Sequence, residues 1–285
     1  MLKGYTKQEI SWMMYDWANS AHSVIIVTLL PIFFDTVAGY TADSVSSMST
    51  WGYATSIAML IVALAAPFLG VFGDIRGMRK KLFSFFMLLG VAACAGMAFT
   101  PGMDFTSGPV AAGKVASLIL VLYIVSVIGF DASAIYYDAF LTDVTTEERM
   151  DKVSTMGYGL GYIGGSTIPL LIFLIMNLVG VPMLTCLAFV FGLTAVWWLA
   201  FSLPLLKNCE QTSGKPYEKG DVARSIKGVG TTIKEIIANK PMLIYILSYF
   251  FYIDGVHTVI SMATTYGTNL GLDSTGMMLA LLLVQ

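Results

Sequence analysis

Charge is what this sequence has least of. Asp, Glu, Lys and Arg make up 12% of its 285 residues, against about 25% in a soluble domain, while 56% is hydrophobic and mean hydropathy is +0.76. That shortage excludes a water-soluble fold. Short segments alternating apolar and polar with period two, the mark of a membrane β-barrel, are also missing. The three cysteines, Cys94, Cys186 and Cys209, stand in no metal or redox spacing. No G-x-x-x-x-G-K-[ST] loop occurs, so ATP is not expected to drive the protein directly, and neither a cofactor nor a metal is expected. The opening MLKGYTKQEISW lacks a small-residue cleavage site behind a short apolar core, so the first apolar run reads as retained.

Long continuous apolar runs are what is there. A bilayer core needs about 20 apolar residues per helix. Seven such runs fall near Trp12 to Phe34, Thr50 to Phe72, Leu82 to Phe99, Lys114 to Asp138, Val153 to Val179, Pro182 to Leu206 and Lys240 to Thr264. An eighth, GMMLALLLVQ, reaches Gln285 after about half of what a span requires. The pattern predicts an all-α polytopic membrane protein. Residues 1–206 would form a six-helix bundle, 207–239 a cytoplasmic linker, and 240–285 the start of a second, incomplete bundle cut off in its eighth helix.

Lys and Arg are distributed one-sidedly across these runs. With the N-terminus inside, 15 of the 16 basic residues fall in inner segments and Lys114 alone falls outside. Outer loops carry Asp35, Asp43, Asp104 and Asp273 instead. Cytoplasmic loops carry the basic excess, so a cytoplasmic N-terminus in a plasma (inner) membrane is expected, with the lipid bilayer as partner and no nucleic acid. In the linker, Ile226, Val229, Ile233, Ile236 and Ile237 recur at helical spacing. An amphipathic helix on the inner surface and a plain solvated linker are both open readings.

GVFGDIRGMRKK joins the second and third runs. Here the sequence resembles the major facilitator superfamily, whose signature Gly70, Gly73, Asp74, Gly77, Arg79 and Lys80 match. The resemblance implies a cytoplasmic gate element that stabilises an outward-open state. An acid at a helix C-terminus is disfavoured by the helix dipole, so Asp74 is expected to have a partner such as an Arg on a neighbouring helix. YDWANSA, FDASAIYYDAFLTDV, STMGYGLGYIGG and FFYIDGVHTVISMA carry a closer resemblance, to the vacuolar amino-acid effluxer-like branch named for fungal autophagy-related transporters. That branch implies about twelve helices around a cavity lined by the first, fourth and seventh, and a monomer at full length. The Arg that drug/proton antiporters carry in their fourth helix is absent.

Acids inside spans cost several kcal/mol unless a cavity or partner receives them. Asp16, Asn19, Ser20 and Ser23 fall at i, i+3, i+4 and i+7, one polar stripe on the first helix. Asp16 and Asp131 lie at similar depth and are expected to share a site for a cationic group or a proton. Asp254, with His257 and Thr258 one turn on, is expected to form or assist a proton-coupling site. Plain alternatives stay open: Asp16 as a helix-start cap, His257 as a packing residue. Asp138 is expected at the inner boundary, with Tyr136, Tyr137 and Phe140 in the aromatic belt there. Gly157, Gly161 and Gly165 recur every fourth residue and predict close helix packing.

Tyr137-Asp138 resembles half of an intramembrane aspartyl protease pair, but the second half, Gly-x-Gly-Asp on another span, is missing. A lipid-handling or non-transporting protein would call for basic residues at head-group depth, and no span interior carries one. The reading is a secondary active transporter of a small solute, an amino acid or similar metabolite as the resemblance implies. It would work by alternating access with proton rather than sodium coupling, and a cation-coupled sugar transporter is the alternative. As given, the chain is expected to need further helices to carry solute.

Overall fold

Helix α1 (Lys7–Ala38) begins where its sequence supplies both halves of a cap. Thr6 Oγ1 accepts from the Glu9 amide at 3.1 Å, and a Glu9 carboxylate oxygen accepts from the Thr6 amide at 2.7 Å. The computed structural model describes residues 2–41, 44–214, 216, 221–273, 276, 277, 279, 280 and 283, with the side chains of all but 44–46 and 221–226. Asp43, Lys215, Lys219 and half of the eighth apolar run lie outside the described residues, as do the side chains of Arg224 and Ile226.

After α1 come α2 (Ser44–Gly73), α3 (Arg79–Met97), α4 (Pro109–Val144) and α5 (Met150–Leu160). A π-helical segment, Gly161–Ser166, leads into α6 (Thr167–Leu178), followed by α7 (Met183–Asn208), α8 (Asp221–Ala238) and α9 (Lys240–Asn269). No strand forms among the described residues. Among the described residues seven helical stretches are long and apolar enough to cross a membrane, and α5, the π segment and α6 together make the fifth. The protein is an all-α polytopic membrane protein, with span ends within several residues of those read from hydropathy.

Packing is organised around α1, which meets α2, α4, α5, the π segment, α6, α7 and α9. Lipid tails are as apolar as leucine, so close fit and not water exclusion must hold such helices together. Glycine supplies it between α3 and α4: a methyl group on Gly129 would lie 2.5 Å from the Gly90 backbone nitrogen. Two apolar clusters fill the bundle. One gathers Ile25, Leu29, Phe33, Trp51, Ile119, Phe173 and Phe191, and the other, nearer the N-terminal and basic side, gathers Trp12, Tyr15, Phe83, Tyr136, Phe140 and Trp198. In contrast α9 is exposed along most of its length and buries Thr264, Thr265 and Gly267. The stretch read as amphipathic helix or linker is helical in α8, with Ile233 and Ile237 exposed.

Candidate functional site

A cavity of about 560 Å³ opens between α1, α4 and the fifth span. Asp16, Asn19, Ser20 and Ser23 line its α1 side together with Trp12. Across from them α4 contributes Phe130, Tyr137 and Asp138, and the fifth span adds Ser154, Tyr158, Tyr162 and Ser166. Neither Lys nor Arg lines it.

Glycine lets the fifth span come this close. Gly157 faces the Asp16 carboxylate and Gly164 the Trp17 ring, with no room for a methyl group at either. A Cβ on Gly161 would lie 2.6 Å from Ser20 Oγ, and one on Gly165 would lie 2.5 Å from the Trp17 carbonyl oxygen. The Gly164-Gly165 pair falls within the π segment, and Ser154, Tyr158, Tyr162 and Ser166, each four residues on from the last, face the cavity together.

One hydrogen bond fixes the acid. The Tyr137 hydroxyl donates to Asp16 Oδ2 at 2.7 Å. Tyr137 stacks on Trp12 with centroids 4.3 Å apart and planes at 14°, and Trp12 Nε1 donates to the Tyr137 carbonyl at 2.9 Å. Behind this pair the Tyr15 hydroxyl shares a 2.7 Å hydrogen bond with Ser133 Oγ. Asp138 makes no hydrogen bond or ion pair among the described residues and stands open to the cavity. The result is an electronegative, aromatic-walled space. Carboxylates on low-dielectric walls concentrate cations, and aromatic faces add to their attraction.

The residues singled out in the sequence are divided among three places. The α1 stripe lines the cavity. Asp131 is half-buried on α4 without a hydrogen bond or ion pair among the described residues, and it is not among those lining the cavity. The carboxylate that faces Asp16 is Asp138, seven residues on along α4 and thus on nearly the same helix face. Thr258 lines a separate groove of about 370 Å³ with Tyr53, Thr55 and Ser56 of α2, and Asp254 and His257 lie exposed on α9. The separation follows from packing: α9 rests on α1, α2 and α8, away from the α4 face that carries Asp138.

A family model described as "Vacuole effluxer Atg22 like" matches residues 5–148 and 142–285. The chain belongs to this Atg22-like family. It is 40% identical over 293 residues to an uncharacterized MFS-type transporter, YxiO, of Bacillus subtilis (strain 168), covering 100% of this chain and 66% of the relative. Autophagy-related protein 22-1 of Sclerotinia sclerotiorum is 26% identical over 131 residues, 40% of this chain and 22% of that protein. The crystal structure of a D-xylose–proton symporter overlays with a TM-score of 0.60 at 14% identity, covering 98% of this chain and 65% of that one, which shows a shared fold. The chain thus spans about two-thirds of the length of YxiO and of the symporter. The family is described as an effluxer and YxiO as a transporter, so the protease alternative lapses.

In this Atg22-like chain the α2–α3 turn is bound from below by the residues that follow α7. Gly77 turns the chain at φ 81°. Gln211 Oε1 accepts from the Gly77 amide at 2.8 Å and the Arg79 amide at 3.3 Å, while its Nε2 donates to the Gly73 carbonyl at 3.0 Å. Arg79, with a side chain 5% exposed, forms a close ion pair with Asp143 of α4 and donates to the Ala139 carbonyl at 3.0 Å. The other Asp143 oxygen accepts from the Thr212 and Ser213 amides at 3.1 and 2.9 Å. Asp74 meets Arg79 only at 3.9 Å and is 79% exposed, so the acid of the motif has the partner its position calls for, though a loose one. Gly70 has open space beside it, and Lys80 lines a shallow basic groove with Arg76 and Lys81.

A second clasp ties the start of the Atg22-like fold to the α4–α5 connection. Arg149 Nε and Nη2 donate to the two oxygens of buried Glu9, each at 2.8 Å, and Thr145 Oγ1 donates to Glu9 Oε1 at 2.7 Å. Sequence reading passed over Glu9 because it lies before the first apolar run and its partner Arg149 is 140 residues away in the chain.

Proposed function

We propose that the protein carries a small solute bearing a protonated amine, an amino acid or a similar metabolite, across a membrane by alternating access coupled to protons. The observation that carries this is the cavity: Asp16 and Asp138 facing one space, five aromatic side chains in its lining, and no basic side chain among the described residues. In this reading Asp138, free of partners, meets the ammonium group, and Asp16, held by Tyr137, takes the coupling proton or the second contact. Hydroxyls of Ser20, Ser23 and Ser154 are left for the polar remainder of the solute. The cytoplasmic N-terminus expected from the basic residues would place the two clasps on the inner side. Asp254 and His257 enter the reading only where further helices close over the exposed face of α9.

The test is uptake of a radiolabelled amino-acid panel into proteoliposomes under an imposed pH gradient, with protein expressed from its gene through the natural stop codon. Accumulation that collapses with the gradient, and again in Asp16→Asn and Asp138→Asn, is the expected result. Unchanged uptake in both variants overturns the assignment.

A second reading, a cation-coupled sugar carrier, is favoured by one observation. Trp12 and Tyr137 present stacked aromatic surface beside carboxylates and the Asn19 amide. Uptake of a neutral sugar in the same assay, with the amino acids silent, decides for it.

A further inference from the structure

Directly behind the cavity wall lies a titratable group for which neither sequence nor transport reading has a use. His22 of α1 is 2% exposed, and neither of its ring nitrogens has a hydrogen-bond partner among the described residues. Its imidazole lies against Phe130 of α4, centroids 4.9 Å apart and planes at 22°, and against Trp198 of α7 at 4.9 Å and 42°. A phenyl or leucyl side chain would fill such a place without desolvating two nitrogens. Orphaned polar groups of this kind are costly and scarce in folded proteins, and they call for a reason.

Position supplies one. Asn19 and Ser23, on either side of His22 along α1, both line the cavity, and so does Phe130. One aromatic ring therefore separates the imidazole from the solute space, and Phe130 is itself only partly buried. The groups that face His22 leave a proton unopposed. On α1, Asp16 lies six residues earlier and Tyr15 reaches the same Trp198, whose Nε1 donates to the Tyr15 hydroxyl at 3.4 Å. From α4 comes Phe130, with Asp131 next in sequence, and from α7 comes Trp198. The basic residues of these three helices, Lys7, Lys114 and Lys207, all lie near helix ends.

We propose that His22 is a proton-binding site of the transport cycle, reached from the cavity when Phe130 turns aside. A proton carried by cavity water or by the Asp16 carboxyl passes to a free ring nitrogen lone pair. The imidazolium so formed is held against the Phe130 and Trp198 faces by cation–π attraction and gives its proton back along the same route. The role in the cycle rests on the proton-coupled reading above, whereas the protonation itself needs no solute.

The chain has two histidines, and His257 is exposed, so in a His257→Asn background the His22 signal is identified as the one that His22→Asn then removes. Full-length protein of that background, labelled with ¹⁵N-histidine in lipid nanodiscs, would be followed by solid-state NMR between about pH 4 and about pH 9, on either side of the free histidine value. The expected result is conversion of His22 from a neutral tautomer to imidazolium as pH falls, with a midpoint that Phe130→Ala shifts. A spectrum that stays neutral throughout in both proteins overturns the site, and a midpoint indifferent to Phe130→Ala overturns the route. Titration of His22 in a protein that accumulates no solute in the flux assay would leave the site standing and sink the transport reading. Gradient-driven uptake with a silent imidazole would do the reverse.

Discussion

Tyr137 and Asp16 form a 2.7 Å hydrogen bond between α4 and α1, which joins those helices at the cavity beside the bond from Trp12 Nε1 to the Tyr137 carbonyl. Removing only the hydroxyl tests what it does. Tyr137→Phe keeps the stack on Trp12 and should leave folding intact. Losing a hydrogen bond to a group of this kind, worth about 1–2 kcal/mol, should weaken solute binding by about tenfold. Concentration dependence of uptake in proteoliposomes checks this, and an unchanged KM would show that Asp16 needs no positioning.

Close approach of the fifth span to α1 is tested by two alanines. Gly165→Ala would bring a methyl group to 2.5 Å from the Trp17 carbonyl, and overpacking of that degree typically costs about 1–3 kcal/mol. Gly159→Ala meets open space and should cost nothing measurable. Thermal unfolding in detergent should separate the two variants, and equal midpoints would mean the helices are free to part.

How much of this was legible beforehand depends on what each signal reports. Span number and helical class followed from hydropathy, since a bilayer tolerates few alternatives. The α1 stripe of Asp16, Asn19, Ser20 and Ser23 could be read because helical spacing places side chains on faces without knowledge of neighbours. Which acid would face Asp16 could not be read that way. Asp131 and Asp138 share a face of α4, and the choice between them is made by tertiary packing. Tyr137 was assigned to an aromatic belt by its depth alone, and depth says nothing of stacking on Trp12. Gly157, Gly161 and Gly165 were read for close packing, and that periodicity gave no hint of a π segment there.

The buried ion pair of Arg79 and Asp143 should be unforgiving. Asp143→Asn leaves a guanidinium enclosed without its counter-charge, a loss of about 3–5 kcal/mol for buried pairs. Thermal unfolding should fall accordingly. Asp74→Asn, at an exposed acid, should shift it by less than about 1 kcal/mol. Equal effects of the two would reverse the assignment of the load to Asp143.

Glu9 and Arg149 should behave as one unit. With Glu9 1% and Arg149 36% exposed at the side chain, Glu9→Gln and Arg149→Gln should each destabilise by about 1–3 kcal/mol, and the double variant by less than their sum. Strict additivity in this double-mutant cycle would show the clasp to be incidental.

The hydrogen bonds of Gln211, Thr212 and Ser213 anchor the chain leaving α7, so the tether between α7 and α8 begins at Gly214 and not at the helix end. Seven peptide units join Gly214 to Asp221, which bounds the reach at about 25 Å fully extended. A pull on the chain beyond that reach is delivered through Gln211 and Ser213 to Arg79 and Asp143, the pair that joins the start of α3 to the end of α4.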